Sequence, residues 1–292
     1  MNTVKIRFGP AGTSESFTKM GFRKNEQVPG YLEQMGLNAY EYQCGRGVRI
    51  SQEQAEKFGK LAAQKDVQLS VHAPYYISMS SLEEEKRVKS VDYVVQSARA
   101  VSAMGGERIV VHTGSCGKIS RLDALELAMD TTRKCLQALK EEGLEKVRIC
   151  PETMGKLNQL GTLEEVLELC GMEENMLPCV DFGHLNARTY GELQKDEAAF
   201  SRIFDQIENK LGRDRMRIIH IHFSKIAYTT PGGEKCHLTF ADTEYGPEFE
   251  PLAELLLKKG CTPTIICESA GTQAEDAAKM KELYQAAGGK IE

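Results

Sequence analysis

Short runs rich in valine and isoleucine alternate with longer amphipathic segments along the whole chain. None of the eight runs exceeds seven residues, and this length and composition are typical of strands buried on both faces. They are VKIRF from Val4, NAYEYQ from Asn38, VQLSVHA from Val67, RIVVHT from Arg108, VRICPE from Val147, LPCVDF from Leu177, RIIHIHF from Arg217 and TIICES from Thr264. Eight strands that alternate with helices predict the α/β class, as a single (β/α)8 TIM barrel domain over residues 1–292.

The segments between these runs repeat their apolar residues at the spacing of an amphipathic helix. The clearest lie at residues 51–64, 88–105, 122–143, 252–260 and 274–289. Gly105 and Gly143 stand at the ends of two of them, where a helix commonly closes in a left-handed residue. A doubly wound open sheet is the alternative arrangement, but no G-x-G-x-x-G follows the first predicted strand.

The chain carries a formal net charge of −5, and 41% of its 292 residues are hydrophobic. This composition supports a large core and argues against a basic protein that coats nucleic acid, although it is compatible with an enzyme that has a local basic rim. No long apolar segment opens the chain or runs for about eighteen residues, so we expect a cytoplasmic protein without a signal peptide or membrane span. Nine scattered cysteines without a C-x-x-C pair indicate neither a disulfide framework nor a cysteine-based zinc site.

Most of the histidines and several acidic residues fall at the ends of the predicted strands. These residues are His72, His112, Glu152, Asp181, His184, His222, His237 and Glu268. One histidine in a strand is usually a core residue, but in a (β/α)8 barrel all the carboxyl ends of the strands meet at one face, where active sites form. We therefore expect a metal centre there. His220 precedes His222 by two residues, so it should face the same side one layer deeper and support the site from the core.

Imidazole and carboxylate ligands together favour Zn²⁺, with Mn²⁺ or Fe²⁺ as alternatives. Eight ligands are too many for one zinc ion, which takes about four, so we expect two or three metals that share bridging carboxylates. Such a cluster polarises a phosphoryl oxygen and lowers the pKa of a bridging water towards ~7. This chemistry is suited to phosphodiester hydrolysis.

Two segments carry a resemblance to a known family. CVDFGH, with Asp181 and His184, resembles the Cys-x-Asp-x-x-His signature of endonuclease IV, the zinc-dependent apurinic/apyrimidinic endonuclease family of the xylose isomerase-like barrels. PETMG resembles the segment in which that family's bridging glutamate lies, here Glu152. The resemblance covers nearly the whole chain. It implies a DNA-repair hydrolase that cuts the phosphodiester 5′ to an abasic site, with Glu152 as a metal ligand that also orients the attacking water.

The resemblance also implies the remaining ligands, with His237 and His184 holding a third metal, but the pattern departs at two places. Lys225 follows His222 after only three residues, in HFSK, where the family has His-x-Asn-Asp before its lysine. The family's Asp two residues before the loop histidine is Lys235 here, and Glu234 lies one residue further back. The longer side chain of Glu234 is a candidate replacement. The Gly-Glu-Gly after that loop is replaced by FADTEYG.

In the family, the loops after the second and third strands enter DNA where a base is missing. The matching loops contain Arg46 and Arg49, and Tyr75 and Tyr76. The resemblance therefore implies damaged duplex DNA as the partner of a monomer, with Arg46, Tyr75 and Lys225 as DNA-binding residues. The alternative is that these tyrosines pack on the rim of the barrel and have no role in DNA binding.

Two other functions remain open at this point. A sugar isomerase or epimerase of the same superfamily would use one metal, held by residues matching Glu152, Asp181, His222 and Glu268, and two carboxylates would move a proton beside the carbonyl of a small sugar. A barrel that has lost its chemistry would hold no metal at all. Direct ligation by His72 and His112 favours the nuclease over the isomerase, and the retention of every main ligand type argues against a barrel without chemistry.

Overall fold

The computed structural model describes residues 5–196 and 198–291, so Val4 in the first predicted strand and both ends of the predicted domain lie outside the described residues. All eight predicted strands are present, together with a hairpin that was not predicted. The strands are β1 (Arg7–Pro10), β2 (Ala39–Gln43), β3 (Gln68–His72), β4 (Arg108–Val111), β5 (Arg148–Pro151), β6 (Cys179–Asp181), β7 (His220–Phe223), β8 (Ile226–Thr229), β9 (Gly233–His237) and β10 (Thr264–Cys267).

Each of the five clearest predicted segments is helical. Helices separate the strands along the chain. They are α1 (Glu15–Lys19), α2 (Val28–Gln34), α3 (Gln52–Ala63), α4 (Glu84–Ala103), α5 (Arg121–Glu141), α6 (Leu163–Cys170), α7 (Phe182–Arg188), α8 (Glu192–Lys195), α9 (Ala198–Leu211), α10 (Arg213–Arg217), α11 (Glu250–Lys259) and α12 (Gln273–Ala286), with one 3₁₀ turn at Asn25–Gln27. Side-chain oxygens of Ser51, Ser120 and Thr162 accept from the third backbone N–H of their helices and fix where these begin. Gly105 and Gly143 have φ of 76° and 69°, as their positions predict.

The parallel strands close into the predicted barrel. Two four-stranded sheets run in the orders β1-β10-β7-β6 and β2-β3-β4-β5. Parallel bridges from Ala11 to Glu41 and from Glu152 to Cys179 join the two sheets at both seams. The hairpin of β8 and β9 is antiparallel and lies in the long connection after β7. The barrel brings the carboxyl ends of its strands to one face, as the sequence predicts.

The seventh strand begins later than predicted. The prediction places it from Arg217, whereas Arg213–Arg217 form the helix α10 and β7 starts at His220. The guanidinium group of Arg215 donates to the carbonyls of Cys170 and Met176, which stabilises this helical turn against the neighbouring connection. The two predicted strand histidines, His220 and His222, are both inside β7.

Inside the barrel, a small apolar layer lies beneath the polar mouth. Val110, Cys150, Leu177 and Cys179 form this layer as a small buried cluster. Arg108 lies below them, and its guanidinium group donates to the carbonyls of Ile218 and Ile219 at 3.0 and 3.4 Å. Burial lowers the pKa of Arg108 from its ordinary value. Within the described ranges, no helix combines the length and the apolar character that crossing a membrane requires.

Gly9 packs closely against β2, so a substitution at Gly9 tests the packing between these two strands of the barrel. A Cβ atom at Gly9 would lie 1.9 Å from the carbonyl oxygen of Ala39. We expect Gly9→Ala to lower the free energy of unfolding by about 3 kcal/mol and Tm by roughly 6–10 °C in thermal denaturation. Gly30→Ala is the matched control, because a Cβ at Gly30 meets nothing within 4 Å and alanine favours the helix. Equal Tm values for the two variants would contradict this packing.

Candidate metal centre

Glu152, directly after β5, lies at the centre of the barrel mouth and is fully buried. Its Oε2 atom is 2.9 Å from His112 Nε2 and 3.4 Å from His72 Nε2. Its Oε1 atom is 3.0 Å from His222 Nδ1 and 3.5 Å from His184 Nδ1. One carboxylate therefore contacts four histidines from different strand ends, as the convergence of strand ends in a barrel predicts.

The VDFGH segment turns directly from β6 into α7, and this turn aims both of its candidate ligands. Asp181 is the N-cap of α7, and its Oδ1 accepts from the backbone N–H of His184 at 2.7 Å. The second oxygen, Oδ2, lies 3.2 Å from His184 Nδ1. Gly183 is required between them, because a Cβ there would lie 2.4 Å from the carbonyl oxygen of Ser224.

A second donor group lies beside the first one, on the unpredicted hairpin. The donor atoms of His184, Glu234 and His237 lie within 4.8 Å of one another. The pairing of the hairpin shifts by one residue: Ala227 pairs with Cys236, and the next residue, Tyr228, pairs with Glu234. Lys235 is therefore the extra residue of a bulge. The bulge brings Glu234 to the side of His237, which a regular strand would not do for residues three apart.

The hairpin is fixed in place by the loop after β5. Glu234 donates its backbone N–H to the carbonyl of Gly155 at 3.2 Å. A Cβ at Gly155 would lie 2.6 Å from Glu234 Cβ and 3.1 Å from His184 Cδ2. Glycine at the end of PETMG is therefore what allows the hairpin to approach the barrel mouth. On the other side, Ser224 Oγ lies 2.8 Å from His237 Nδ1, which orients that imidazole.

The remaining predicted ligands also converge. Glu268, after β10, has its Oε1 atom 3.4 Å from His222 Nδ1. Three candidate donor groups with atoms within 4.8 Å lie at the mouth: His72, His112 and Glu152; Glu152, Asp181, His184 and Glu268; and His184, Glu234 and His237. Neighbouring groups among these three share Glu152 or His184. His222 and Glu268 form a further group with the deeper Glu41, and His222 Nδ1 also lies 3.0 Å from Glu152 Oε1. All eight predicted ligands are therefore brought together, and Glu234 joins them.

The donor chemistry fits divalent metals. Glu152 Oε2 and Asp181 Oδ2 are buried and have no hydrogen-bond partner in the part of the chain that the structure describes. The short approach of Glu152 Oε2 to His112 lacks hydrogen-bond geometry, as expected of two ligand atoms that face one point rather than each other. A buried carboxylate oxygen without a partner is costly unless a cation neutralises it. Imidazole and carboxylate donors are the ligand types that Zn²⁺ prefers.

The ionisation of the site reflects a concentration of negative charge. Burial alone would raise the pKa of Glu152, but His222 and His112 hold it well below its usual range. Burial raises the pKa of Asp181 to about 6. Burial would lower the pKa of His72 and of His184, yet the carboxylates beside them raise each to about 9. Metal-free protein thus uses protonated histidines as counter-charges, a role that a metal would take over.

A cavity of about 710 Å³ opens over these groups. Tyr75 lines it with 59% of its surface exposed, and its ring centroid is 5.5 Å from that of His72. Arg46 is exposed in the turn after β2, next to Gly45, whose carbonyl accepts from the backbone N–H of Tyr75. Tyr76 is also exposed. Of these residues, Tyr75 lines the cavity, and Arg46 and Tyr76 are exposed on the loops that follow β2 and β3.

The structure does not bring Lys225 to the cavity. Its side chain is buried, and its Nζ donates to the carbonyl of Asp242 at 2.8 Å and to Glu248 Oε1 at 2.6 Å. Its ammonium group is therefore engaged in bracing the loop after the hairpin. This placement differs from the predicted contact with DNA.

Two features of the site were not predicted. Glu41 in β2 is fully buried and contacts both histidines of β7; an acidic residue within an otherwise buried strand was the available signal. Arg121 and Arg188 together donate to the carbonyls of the loop that carries Lys156 and Gln159 to the cavity. No local motif indicates that pair, because it joins separate helices to one loop.

Comparison with known proteins places the chain among barrels of this kind. A family model described as Xylose isomerase-like TIM barrel matches residues 30–286. An uncharacterised protein of Methanocaldococcus jannaschii is 32% identical over 250 residues, which are 86% of this chain and 88% of that protein. A probable endonuclease 4 of Cenarchaeum symbiosum is 23% identical over 83% of this chain and 86% of its own length.

A probable endonuclease 4 of Mycoplasma pneumoniae is 29% identical over 53% of this chain, and the match spans only about half of that relative, 52%. Among solved structures, a D-tagatose 3-epimerase-like protein has a TM-score of 0.70 at 21% identity, with 97% of each chain covered. Endonuclease IV from Thermus thermophilus has a TM-score of 0.68 at 18% identity, with 96% of this chain and 98% of that chain covered. At these identities the structural likeness shows the fold alone.

Proposed function

Because the chain belongs to the xylose isomerase-like TIM barrel family, we propose that it is a metal-dependent phosphodiester hydrolase that cuts DNA 5′ to an abasic site. The observation that carries this proposal is the donor group of His184, Glu234 and His237, which adjoins the groups around Glu152. An isomerase of the single-metal type has no need of this additional group. Hydrolysis of a phosphodiester gains from several adjacent metals, which clamp the attacking and leaving oxygens.

The donor groups would hold roughly two or three divalent ions, with Zn²⁺ the best fit to their imidazole and carboxylate ligands. Metals bound there would supply polarisation of the phosphoryl oxygen and a lowered pKa for a bound water. Glu152 would orient that water, since both of its oxygens face the centre of the donor groups. Tyr75 would cover one side of the cavity and exclude solvent, and Arg46 would contact a phosphate at the rim.

Selectivity for an abasic nucleotide would follow from the energy of extrusion. Turning a nucleotide out of a duplex costs least where base pairing is already absent. The cavity over the metal groups, about 710 Å³, is in the range of pockets that enclose a small ligand, and Tyr75 stands at its edge. Damaged duplex DNA is therefore the proposed partner.

A sugar isomerase or epimerase is the second candidate. One metal would be held by Glu152, Asp181, His222 and Glu268; the donor atoms of Glu152, Asp181 and Glu268 lie within 4.8 Å of one another, and His222 Nδ1 faces both glutamates. Three glutamine side chains, those of Gln43, Gln159 and Gln273, line the cavity, and amide groups are suited to sugar hydroxyl groups.

Metal content and cleavage, measured on the same preparation, test the proposal. We expect roughly two or three metal ions per chain by elemental analysis and cleavage of a duplex with one abasic site, with an undamaged duplex of the same sequence left intact. Chelation should abolish cleavage, and Zn²⁺ should restore it. At most one metal per chain, together with intact abasic DNA after metal is restored, would reject the hydrolase; turnover of a ketose or aldose would then favour the second candidate.

A further inference from the structure

Glu41 lies inside the barrel one layer below the donor groups, and both of its oxygens are engaged. Oε2 accepts from Ser70 Oγ at 2.9 Å and lies 3.0 Å from His220 Nε2. Oε1 lies 3.0 Å from His222 Nε2 and accepts from Gln43 Nε2 at 3.4 Å. Burying a carboxylate is costly, and it is retained only where its partners compensate the lost hydration. The partners of Glu41 come from β2 itself, from β3 and from β7.

His222 connects Glu41 to the metal groups. Its Nε2 faces Glu41, and its other nitrogen, Nδ1, lies 3.0 Å from Glu152 Oε1 and 3.4 Å from Glu268 Oε1. The ring therefore spans two layers of the barrel. A proton on Nε2, 3.0 Å from the Glu41 carboxylate, would leave the lone pair of Nδ1 directed at the donor groups, which is the tautomer that a metal ligand requires.

Glu41 lies beneath His222. It is fully buried and is not among the described residues that line the cavity. Two of its contacts lead towards the mouth: His222, which faces Glu152 and Glu268, and Gln43, which lines the cavity. His220 holds the opposite oxygen of Glu41 and keeps the carboxylate from rotating away.

We propose that Glu41 is a positioning residue for the metal centre: it fixes the ring orientation and tautomer of His222, and His220 and Ser70 hold Glu41 in place. This inference rests on the proposed metal centre but not on DNA as the substrate. It assigns a role to the one buried acidic residue of β2.

Metal binding in the absence of substrate tests the proposal. The probe is Co²⁺, titrated into metal-free protein in competition with a chelator, with its visible absorption spectrum recorded. We expect Glu41→Ala to weaken Co²⁺ affinity by about 10–100-fold and to shift the spectrum, with the number of ions bound at saturation unchanged. Glu41→Gln keeps an acceptor for His222 Nε2 and should stay within about 5-fold of the native affinity.

Ser70→Ala is the matched control, because it removes one contact of Glu41 and leaves the contact with His222; its affinity and spectrum should be native. One fewer ion at saturation in Glu41→Ala would overturn the positioning role, because Glu41 would then be a ligand itself. If Glu41→Ala does not fold, Glu41→Leu decides, because it fills similar space and gives His222 Nε2 no acceptor: a weaker affinity with a shifted spectrum supports the proposal, and native values overturn it.

The outcomes separate this inference from the proposed activity. Native Co²⁺ binding by Glu41→Ala, with abasic DNA still cut, would overturn only the role of Glu41. The expected loss of affinity, with abasic DNA left intact by native protein, would reject only the hydrolase. A native chain that binds no Co²⁺ would overturn both the metal centre and the role of Glu41.

Discussion

Glu152→Gln is expected to lower cleavage of abasic DNA by about 10³-fold, equivalent to about 4 kcal/mol of lost transition-state stabilisation, and to release at least one metal per chain. Both oxygens of Glu152 face histidine nitrogens, at 2.9 Å for His112 and 3.0 Å for His222. The amide keeps the shape of the side chain but replaces one ligand oxygen with an N–H donor. Single-turnover cleavage and elemental analysis of the same preparation measure the two effects.

Asp276→Asn is the matched control for this variant. Asp276 is also buried, but its Oδ2 accepts from Phe240 N and Thr272 Oγ1 rather than facing the donor groups. The control should keep its metals and its activity. Native metal content and native cleavage in Glu152→Gln would show that this carboxylate does not bridge the site.

The positions of the strand-end ligands could be predicted because they depend on topology alone. Once eight strands alternate with helices, the carboxyl end of every strand lies at the same face. His72, Asp181 and His222 then converge whatever the details of the loops, and in the structure all three lie around Glu152. The same reasoning correctly located His220 in the layer beneath.

Side chains whose direction depends on a loop could not be predicted in this way. Lys225 lies close in sequence to His222, yet Glu248, which is 23 residues further on, holds its ammonium group away from the cavity. Nothing within HFSK indicates that partner. The hairpin has a signal in the sequence, because Pro231-Gly232-Gly233 stands as a turn between two short runs, whereas the sequence prediction places a long loop there.

The position of Glu234 shows that a bulge of one residue can change which side chains join a donor group. Counting back two residues from His237 reaches Lys235, which cannot bind a cation. The bulge removes Lys235 from the pairing and exposes its side chain, and Glu234 takes the place beside His184 at 3.5 Å. Periodicity alone gives Glu234 the wrong face, since a bulge has no reliable signature in the sequence.

Glu234→Ala is therefore expected to remove one metal per chain and to lower cleavage by about 10²-fold, or about 3 kcal/mol, while the metals around Glu152 are retained. Elemental analysis after dialysis and single-turnover cleavage measure both effects. Lys235→Ala is the matched control, because it changes the next residue of the same bulge on the exposed side. If the two variants hold equal numbers of metals, His184 and His237 do not form a third site with Glu234. The single-metal chemistry of the second candidate would then be the better account of this barrel mouth.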